Sequence, residues 1–158
     1  MAMEDSVQYV ERSRNYYAAQ GYSEPYHWAH YDDVPFHALG KPLAESIVTV
    51  ITTAMPDASY RGRRRRVAVG DLRRPPEHLW TGDLAWDHRA THTDDRETYL
   101  PIHQLERLVA TSRLGALGPH FYCAPTEYSQ RRTIEQDAPA IVGACREDGV
   151  DVALLVPL

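Results

Sequence analysis

The stretch Glu45-Ser46-Ile47-Val48-Thr49-Val50-Ile51-Thr52-Thr53 decides the fold of this chain. It is almost continuous in β-branched residues, which favour strands, and it is closed by the turn-forming pair Pro56-Asp57. A run this uniform is typical of a strand that is buried on both faces. We therefore expect this segment to be the central strand of a parallel sheet.

The rest of the chain contains further strand and helix patterns. A second buried-strand pattern, Val-Asp-Val-Ala-Leu-Leu-Val-Pro-Leu, covers residues 150–158, and a weaker strand is predicted at 65–70. Helical spacing predicts helices over residues 6–20, 101–109 and 129–147, with Pro139 breaking or kinking the last and Asp137 capping a second start. Alternating strands and helices predict an α/β fold: a three-layer sandwich with a mostly parallel sheet, incomplete at the C-terminus.

Composition predicts one domain over residues 1–158. The chain has 158 residues and 43% hydrophobic residues, enough for one ordinary core. Between the helices and strands lie an aromatic, irregular segment over 22–42 and a long loop over 71–99. Long ordered loops in compact domains are often functional.

Charge and cysteine content exclude several classes of protein. The formal net charge of −5 argues against generic nucleic-acid binding. The basic run Arg61–Arg66 fits a solvated turn or an anion site. The N-terminus shows neither a signal peptide nor an apolar span, and the two cysteines imply no disulfide framework. We expect a cytoplasmic protein that binds neither nucleic acid nor membrane.

The segment 86–95 carries the best candidate chemistry. His88 and His92 are spaced i and i+4, and the neighbouring Asp94 could orient an imidazole. Three interpretations stay open: an acid–base or substrate-binding loop, a metal site at the two histidines, or a hydrogen-bonded loop without chemistry. The metal site has the least support, because the threonines and aspartates here favour a loop over a helix.

A second candidate segment is 118–128, which is expected to contain a short extended piece. Cys123 would be a nucleophile or redox thiol if a helix terminus or His120 lowered its pKa, and is otherwise a small packed residue. Cys145 stands at an apolar helical position and is expected in the core.

The chain resembles the selenoprotein B family of the glycine, sarcosine, betaine and D-proline reductases, in its shorter bacterial branch. The resemblance spans nearly the whole chain. Its matching stretches are residues 26–30, 32–36, 41–43 leading into Ser46, 92–94, Pro101 with the helix that follows, 115–122, 147–151 and 154–157.

This resemblance implies a redox residue beyond Leu158. In the family, selenocysteine or cysteine follows the Val-Pro strand end, at the start of a helix. Selenocysteine is encoded by UGA, so we expect a gene product that stops at its own selenocysteine codon. The chain itself would then hold no cofactor and would be inactive as it stands. An uncovered final strand should also expose apolar surface and promote association, for instance as a homo-oligomer.

The family chemistry implies roles for several residues. The reaction is reductive cleavage of the C–N bond of a small amino acid or amine, coupled to a dithiol/disulfide pair. His92, Asp94 and His88 are the candidate acid–base residues, and Arg89 or Arg132 could bind the substrate carboxylate. Thr93, Tyr122 and Arg132 are the candidate substrate-binding residues. Implied partners are the small-molecule substrate and a reductase subunit or thiol donor.

The alternative to an enzyme is a non-catalytic module. Such a module would hold a small carboxylate or a partner subunit through the His-Asp loop, without the redox residue.

Overall fold

The computed structural model describes residues 8–24, 30–34, 37–60, 66–82, 84, 91–126 and 129–158. The chain divides into two compact units, residues 1–36 and 37–158, and each is described by itself. None of the helices within the described ranges is long and apolar enough to cross a membrane.

The first unit contains the predicted N-terminal helix. Helix α1 spans Tyr9–Ala19, and Gly21, with a φ of +88°, follows its end. A left-handed backbone suits glycine, which has no Cβ to clash with the preceding turn. The expected apolar face is exposed within the described residues: Val10 and Tyr17 are 48% and 49% exposed.

The second unit is an α/β fold, as predicted. Its described residues form five strands: β1 (Ile47–Thr52), β2 (Ala68–Asp71), β3 (Ala116–Leu117), β4 (His120–Cys123) and β5 (Val152–Val156). β1 pairs in parallel with β3, β4 and β5, whereas β2 pairs antiparallel with β4. The predicted central position of β1 and the predicted final strand are both confirmed.

β3 and β4 lie end to end along one side of β1. β5 pairs with β1 from Val48 to Thr52, so β3 and β4 must occupy the other edge. The interruption falls at Gly118-Pro119, where Gly118 N–H donates to the Val48 carbonyl at 2.9 Å. Among the described strands, β5 is paired with β1 alone, and Leu155 on it is 69% exposed.

Two helices cover opposite faces of the sheet. Helix α2 (Ile102–Ala110) packs Ile102 and Leu105 into a core that includes Phe121. Helix α4 (Ala138–Glu147) ends at Asp148, which binds the side chain of Tyr122. Because successive strand residues point to opposite faces, α2 and α4 lie on opposite sides of β4. This gives the predicted three layers.

The helix is not broken at Pro139, although α4 does start directly after Asp137, whose side chain does not cap it. A short helix α3 (Gln130–Arg132) runs through a wide π-helical stretch (Thr133–Asp137) directly into α4, so the helical path is continuous. Pro139 lies in the first turn of α4, where its missing N–H costs least. The wider turn before it accommodates the ring without ending the helix.

Candidate functional site

The carboxyl ends of three parallel strands meet at one edge of the sheet. Thr52 at the end of β1 is in register with Cys123 of β4 and with Val156 of β5. The Ala124 N–H continues this contact by donating to the Thr52 carbonyl at 2.8 Å. In open α/β sheets, ligands bind in the crevice outside such strand ends. We call this region the carboxyl edge.

Thr53 joins β1 to the segment after β5 at this edge. Its hydroxyl oxygen accepts from the Leu158 N–H at 2.9 Å and donates to the Leu158 carbonyl at 3.4 Å. The end of the final strand is therefore held beside the end of the central strand.

The described part of the predicted His-Asp loop, residues 91–95, is connected to the same edge through Thr93. Met55 and Trp80 exchange two backbone hydrogen bonds, at 2.9 and 2.7 Å, just beyond β1. The next residue, Thr81, shares a side-chain hydrogen bond of 2.8 Å with Thr93. Thr93 lies between His92 and Asp94, so two successive links connect these residues to the end of β1.

His92 and Asp94 form an open pair. His92 Nδ1 lies 3.5 Å from Asp94 Oδ2, and the two side chains are 72% and 88% exposed. The pair can therefore meet a ligand or solvent directly. A histidine beside a carboxylate can transfer a proton near neutral pH, which is the chemistry predicted for this loop.

The other predicted site residues are distributed differently. Arg132 is exposed on α3, in the segment that follows the carboxyl end of β4. His88 and Arg89 lie outside the described residues. Tyr122 is completely buried on the α4 face of the sheet, behind the carboxyl edge rather than within it.

Tyr122 belongs to a second cluster, which we call the tyrosine cluster: His120, Tyr122, Cys145 and Asp148. The Tyr122 hydroxyl donates to Asp148 Oδ2 at 2.5 Å, and His120 Nδ1 lies 2.8 Å from the same oxygen. The Asp148 side chain is 15% exposed and that of His120 is 43% exposed. One carboxylate thus links β4 to the turn between α4 and β5.

The pKa values in the tyrosine cluster reflect these contacts. Burial, followed by the hydrogen bond to Asp148, raises the pKa of Tyr122. The Tyr122 hydroxyl, followed by His120, lowers the pKa of Asp148. The tyrosine therefore stays neutral and the aspartate ionised at neutral pH, which makes the cluster a stable hydrogen-bonded unit.

Neither cysteine has the environment of an activated thiol. Burial raises the pKa of Cys123 to about 12. Burial also raises the pKa of Cys145, although its hydrogen bond with Tyr122 acts in the opposite direction. Both thiols are protonated at neutral pH, and a protonated thiol is a poor nucleophile.

Two further contacts were not predicted from the sequence, and both lie at the amino ends of the strands, away from the carboxyl edge. The pairing of His120 with Asp148 spans 28 residues, and the sequence offers only the acidic pair Glu147-Asp148 before Gly149 as a signal. The second is Asp151, which accepts from the Ile47 N–H at 2.7 Å and pairs with Lys41 at 2.7 Å. Lys41 and Asp151 both fall in stretches that carry the resemblance, but spacing alone does not reveal the pair.

Comparisons with known proteins add no relative. The chain matches no protein-family model, no curated protein and no solved structure. Within the described part of the chain, no group of three histidine, cysteine or acidic side chains is arranged to hold a metal ion.

Proposed function

We propose that the carboxyl edge binds a small amino acid, or an amine that carries a carboxylate. The reaction proposed at this edge is a reductive cleavage of the ligand's C–N bond, of the selenoprotein B type. The observation that carries this proposal is the Thr81–Thr93 hydrogen bond of 2.8 Å. It links the acid–base pair His92 and Asp94 to the edge of a parallel sheet where ligands generally bind. The likeness of residues 92–94 and 154–157 to the reductase family supports the same edge.

The proposed reaction needs a nucleophile and two electrons. A selenolate or thiolate displaces the amine from the carbon beside the carboxylate and forms a Se–C or S–C bond to it. One thiol of a dithiol then attacks the selenium or sulfur, and the carbon leaves and takes up a proton, so that a C–H bond replaces the original C–N bond. The second thiol reduces the resulting selenosulfide or disulfide, which regenerates the nucleophile and leaves the dithiol as a disulfide. Because both described thiols are protonated, we assign this nucleophile to neither of them. In the family that the chain resembles, this nucleophile is a selenocysteine or cysteine.

The residues of this chain have separate roles in the proposal. His92, held beside Asp94, delivers a proton to the departing amine. Arg132 neutralises the substrate carboxylate, since a guanidinium offers two parallel donors to it. Thr93 lies between the acid–base residues, and when Thr81 donates to its hydroxyl, that hydroxyl can donate to the ligand. The reducing chemistry implied by this function fits the cytoplasm.

A non-catalytic carboxylate-binding module is the second candidate function. The raised pKa values of both cysteines favour it, because such a module needs no reactive thiol. The nucleotides that follow the Leu158 codon separate the candidates. An in-frame UGA followed by codons for a further helix supports the reductase, and any other stop codon contradicts it.

Ligand binding tests the function that both candidates share. Backbone amide signals would be followed by NMR while glycine, sarcosine, betaine or D-proline is added. Acetate lacks the amine, methylammonium lacks the carboxylate, and the two serve as matched probes. We expect saturable shifts at Thr53, Thr93 and Asp94 with at least one amino-acid ligand and none with methylammonium. Shifts spread over the whole surface, or none at these residues, would contradict the proposal.

A further inference from the structure

We propose that the outer edge of β5 pairs with the same edge of a second copy of this chain. The two β5 strands run antiparallel across a twofold axis at Leu154, so that the two sheets join into one. The proposal is independent of the proposed function, because it concerns the backbone of an edge strand and no residue of the ligand site.

One hydrogen bond fixes which backbone groups of β5 face outward. The Asp151 N–H donates to the Ile47 carbonyl at 2.9 Å, so the backbone of Asp151 faces β1. Successive residues of a strand direct their N–H and C=O groups to opposite sides, so those of Ala153 and Leu155 also face β1. The residues whose N–H and C=O groups face away from β1, where no described strand pairs with them, are Val152, Leu154 and Val156.

The two edge strands of the described sheet differ in how well they resist pairing. Natural edge strands are protected by charged residues, proline or short length, and glycine weakens a strand. β2 contains Gly70 and Asp71, and the arginine-rich run 61–66 precedes it in the sequence. β5 has neither charge nor proline, and its Leu154 and Leu155 are 39% and 69% exposed. β5 is therefore the edge that another strand can join.

The sequence of β5 is complementary to itself in the antiparallel direction. With Leu154 on the axis, Val152 of one copy lies opposite Val156 of the other, and all three outward-facing residues exchange backbone hydrogen bonds. On the other face, Leu155 lies opposite Ala153 of the second copy. The most exposed side chain of the strand thus meets its smallest one, which lets the pair pack without a clash.

The symmetry of the contact limits the assembly to two copies. Each copy uses its β5 edge, so the interface closes on itself and leaves the protected β2 strands at the two outer ends of the joined sheet. A second copy of this chain is therefore the occupant that both the backbone groups and the side chains of β5 fit.

Sedimentation equilibrium of the whole chain tests the proposal. We expect twice the monomer mass of 18.0 kDa at about 100 μM and dissociation on dilution toward about 1 μM. Leu154→Pro removes an outward N–H and leaves the β1 ladder intact. Val69→Pro is the matched control on β2: the Leu72 N–H faces β4, so that of Val69, three residues earlier, faces outward. Leu154→Pro should raise the dimer dissociation constant by at least about tenfold, and Val69→Pro should leave it unchanged.

A lysine pair serves as the second set of variants should either proline prevent folding, which circular dichroism checks. Leu154→Lys places two like charges opposite each other at the axis, whereas Val69→Lys adds the same charge at the other edge. A monomeric wild type overturns the proposal. So does a dimer that substitution at Leu154 leaves as tight as before, or that substitution at Val69 weakens equally.

Hydrogen exchange identifies what covers the edge. In the dimer, the outward amides of Val152, Leu154 and Val156 are protected at high concentration and lose this protection on dilution. The inward amides of Ala153 and Leu155 stay protected by β1 at both concentrations. Protection of the outward amides that does not change with concentration would show that another segment of the same chain covers β5, and it would overturn the proposal.

Discussion

The Tyr122 hydroxyl donates a 2.5 Å hydrogen bond to Asp148 Oδ2 and thereby fastens the α4–β5 turn to the central part of the sheet. Tyr122 is fully buried, and the same carboxylate oxygen also meets His120 at 2.8 Å. The arrangement joins a fully buried tyrosine to a carboxylate that is 15% exposed, and the tyrosine has no direct contact with solvent. Its first role is therefore to hold the scaffold on which the carboxyl edge is built.

Removal of the Tyr122 hydroxyl should destabilise the fold. Tyr122→Phe leaves the ring in place but takes one donor from an ionised, mostly buried carboxylate. We expect a loss of about 1.5–3 kcal/mol in the free energy of unfolding, the usual range for a hydrogen bond to a charged group. Urea denaturation measures this, with Tyr16→Phe as the control because that side chain is 61% exposed. Equal stability of Tyr122→Phe and the wild type would show that the Tyr122–Asp148 hydrogen bond does not stabilise the fold.

Stability should fall as acid protonates Asp148 and Asp151. The Tyr122 hydroxyl lowers the pKa of Asp148, and the Ile47 N–H followed by Lys41 lowers that of Asp151. A carboxyl whose folded pKa is depressed stabilises the protein above its unfolded value, and this contribution disappears as pH falls through the folded value. The loss of stability should therefore begin as the pH falls to the unfolded aspartate pKa of about 3.9, and it should continue below that pH.

Denaturation midpoints between about pH 6 and about pH 2.5 check this dependence. At about pH 6, Asp148→Asn should be less stable than the wild type. Between about pH 6 and about pH 2.5 it should lose less stability than the wild type does. Asp33→Asn, which removes an exposed carboxylate of the first unit, serves as the control. An acid sensitivity in Asp148→Asn equal to that of the wild type would contradict the assignment.

Both thiols should react slowly in the folded protein. Burial raises the pKa of Cys123 to about 12 and also raises that of Cys145. Because disulfide exchange requires a thiolate, modification by a chromogenic disulfide near neutral pH should be slow. It should become fast when the protein is unfolded in guanidinium. Rapid labelling of either cysteine in the native state would restore it as a candidate nucleophile.

The Thr81–Thr93 hydrogen bond should give a measurable coupling energy between substitutions at the two threonines. Thr81→Val, Thr93→Val and the double variant form a thermodynamic cycle in which shape is nearly conserved. We expect a coupling of about 0.5–1.5 kcal/mol in the free energy of unfolding. Strictly additive effects would mean that the two hydroxyls do not hold the His-Asp loop to the end of β1.

Local patterns predicted the regular elements of the second unit well. The β-branched run gave β1, and the apolar spacing gave α2, because each pattern records which side chains must be buried. Pro139 was expected to break or kink the helix, and the structure has a π-helical stretch before it in place of a break. The short β3 was not predicted, because two residues beside Gly118 carry no periodicity.

Only part of the candidate site could be predicted from the sequence. His92, Thr93 and Asp94 are neighbours in the chain, so their proximity was predictable. The contacts of Thr53 with Leu158 and of Tyr122 with Asp148 join residues 105 and 26 positions apart. Such contacts depend on the order of strands in the sheet, which residue types do not encode locally.

The most direct test of the carboxyl-edge site is the imidazole NMR signal of His92 during a ligand titration at constant pH. His103, exposed on α2, is an internal control of the same residue type, and His92→Ala identifies the signal. We predict that glycine, sarcosine, betaine or D-proline, added up to about 50 mM, shifts the His92 signal saturably and leaves His103 unmoved. A His92 signal that stays fixed, or that moves only in parallel with His103, would contradict a substrate site at this edge of the sheet.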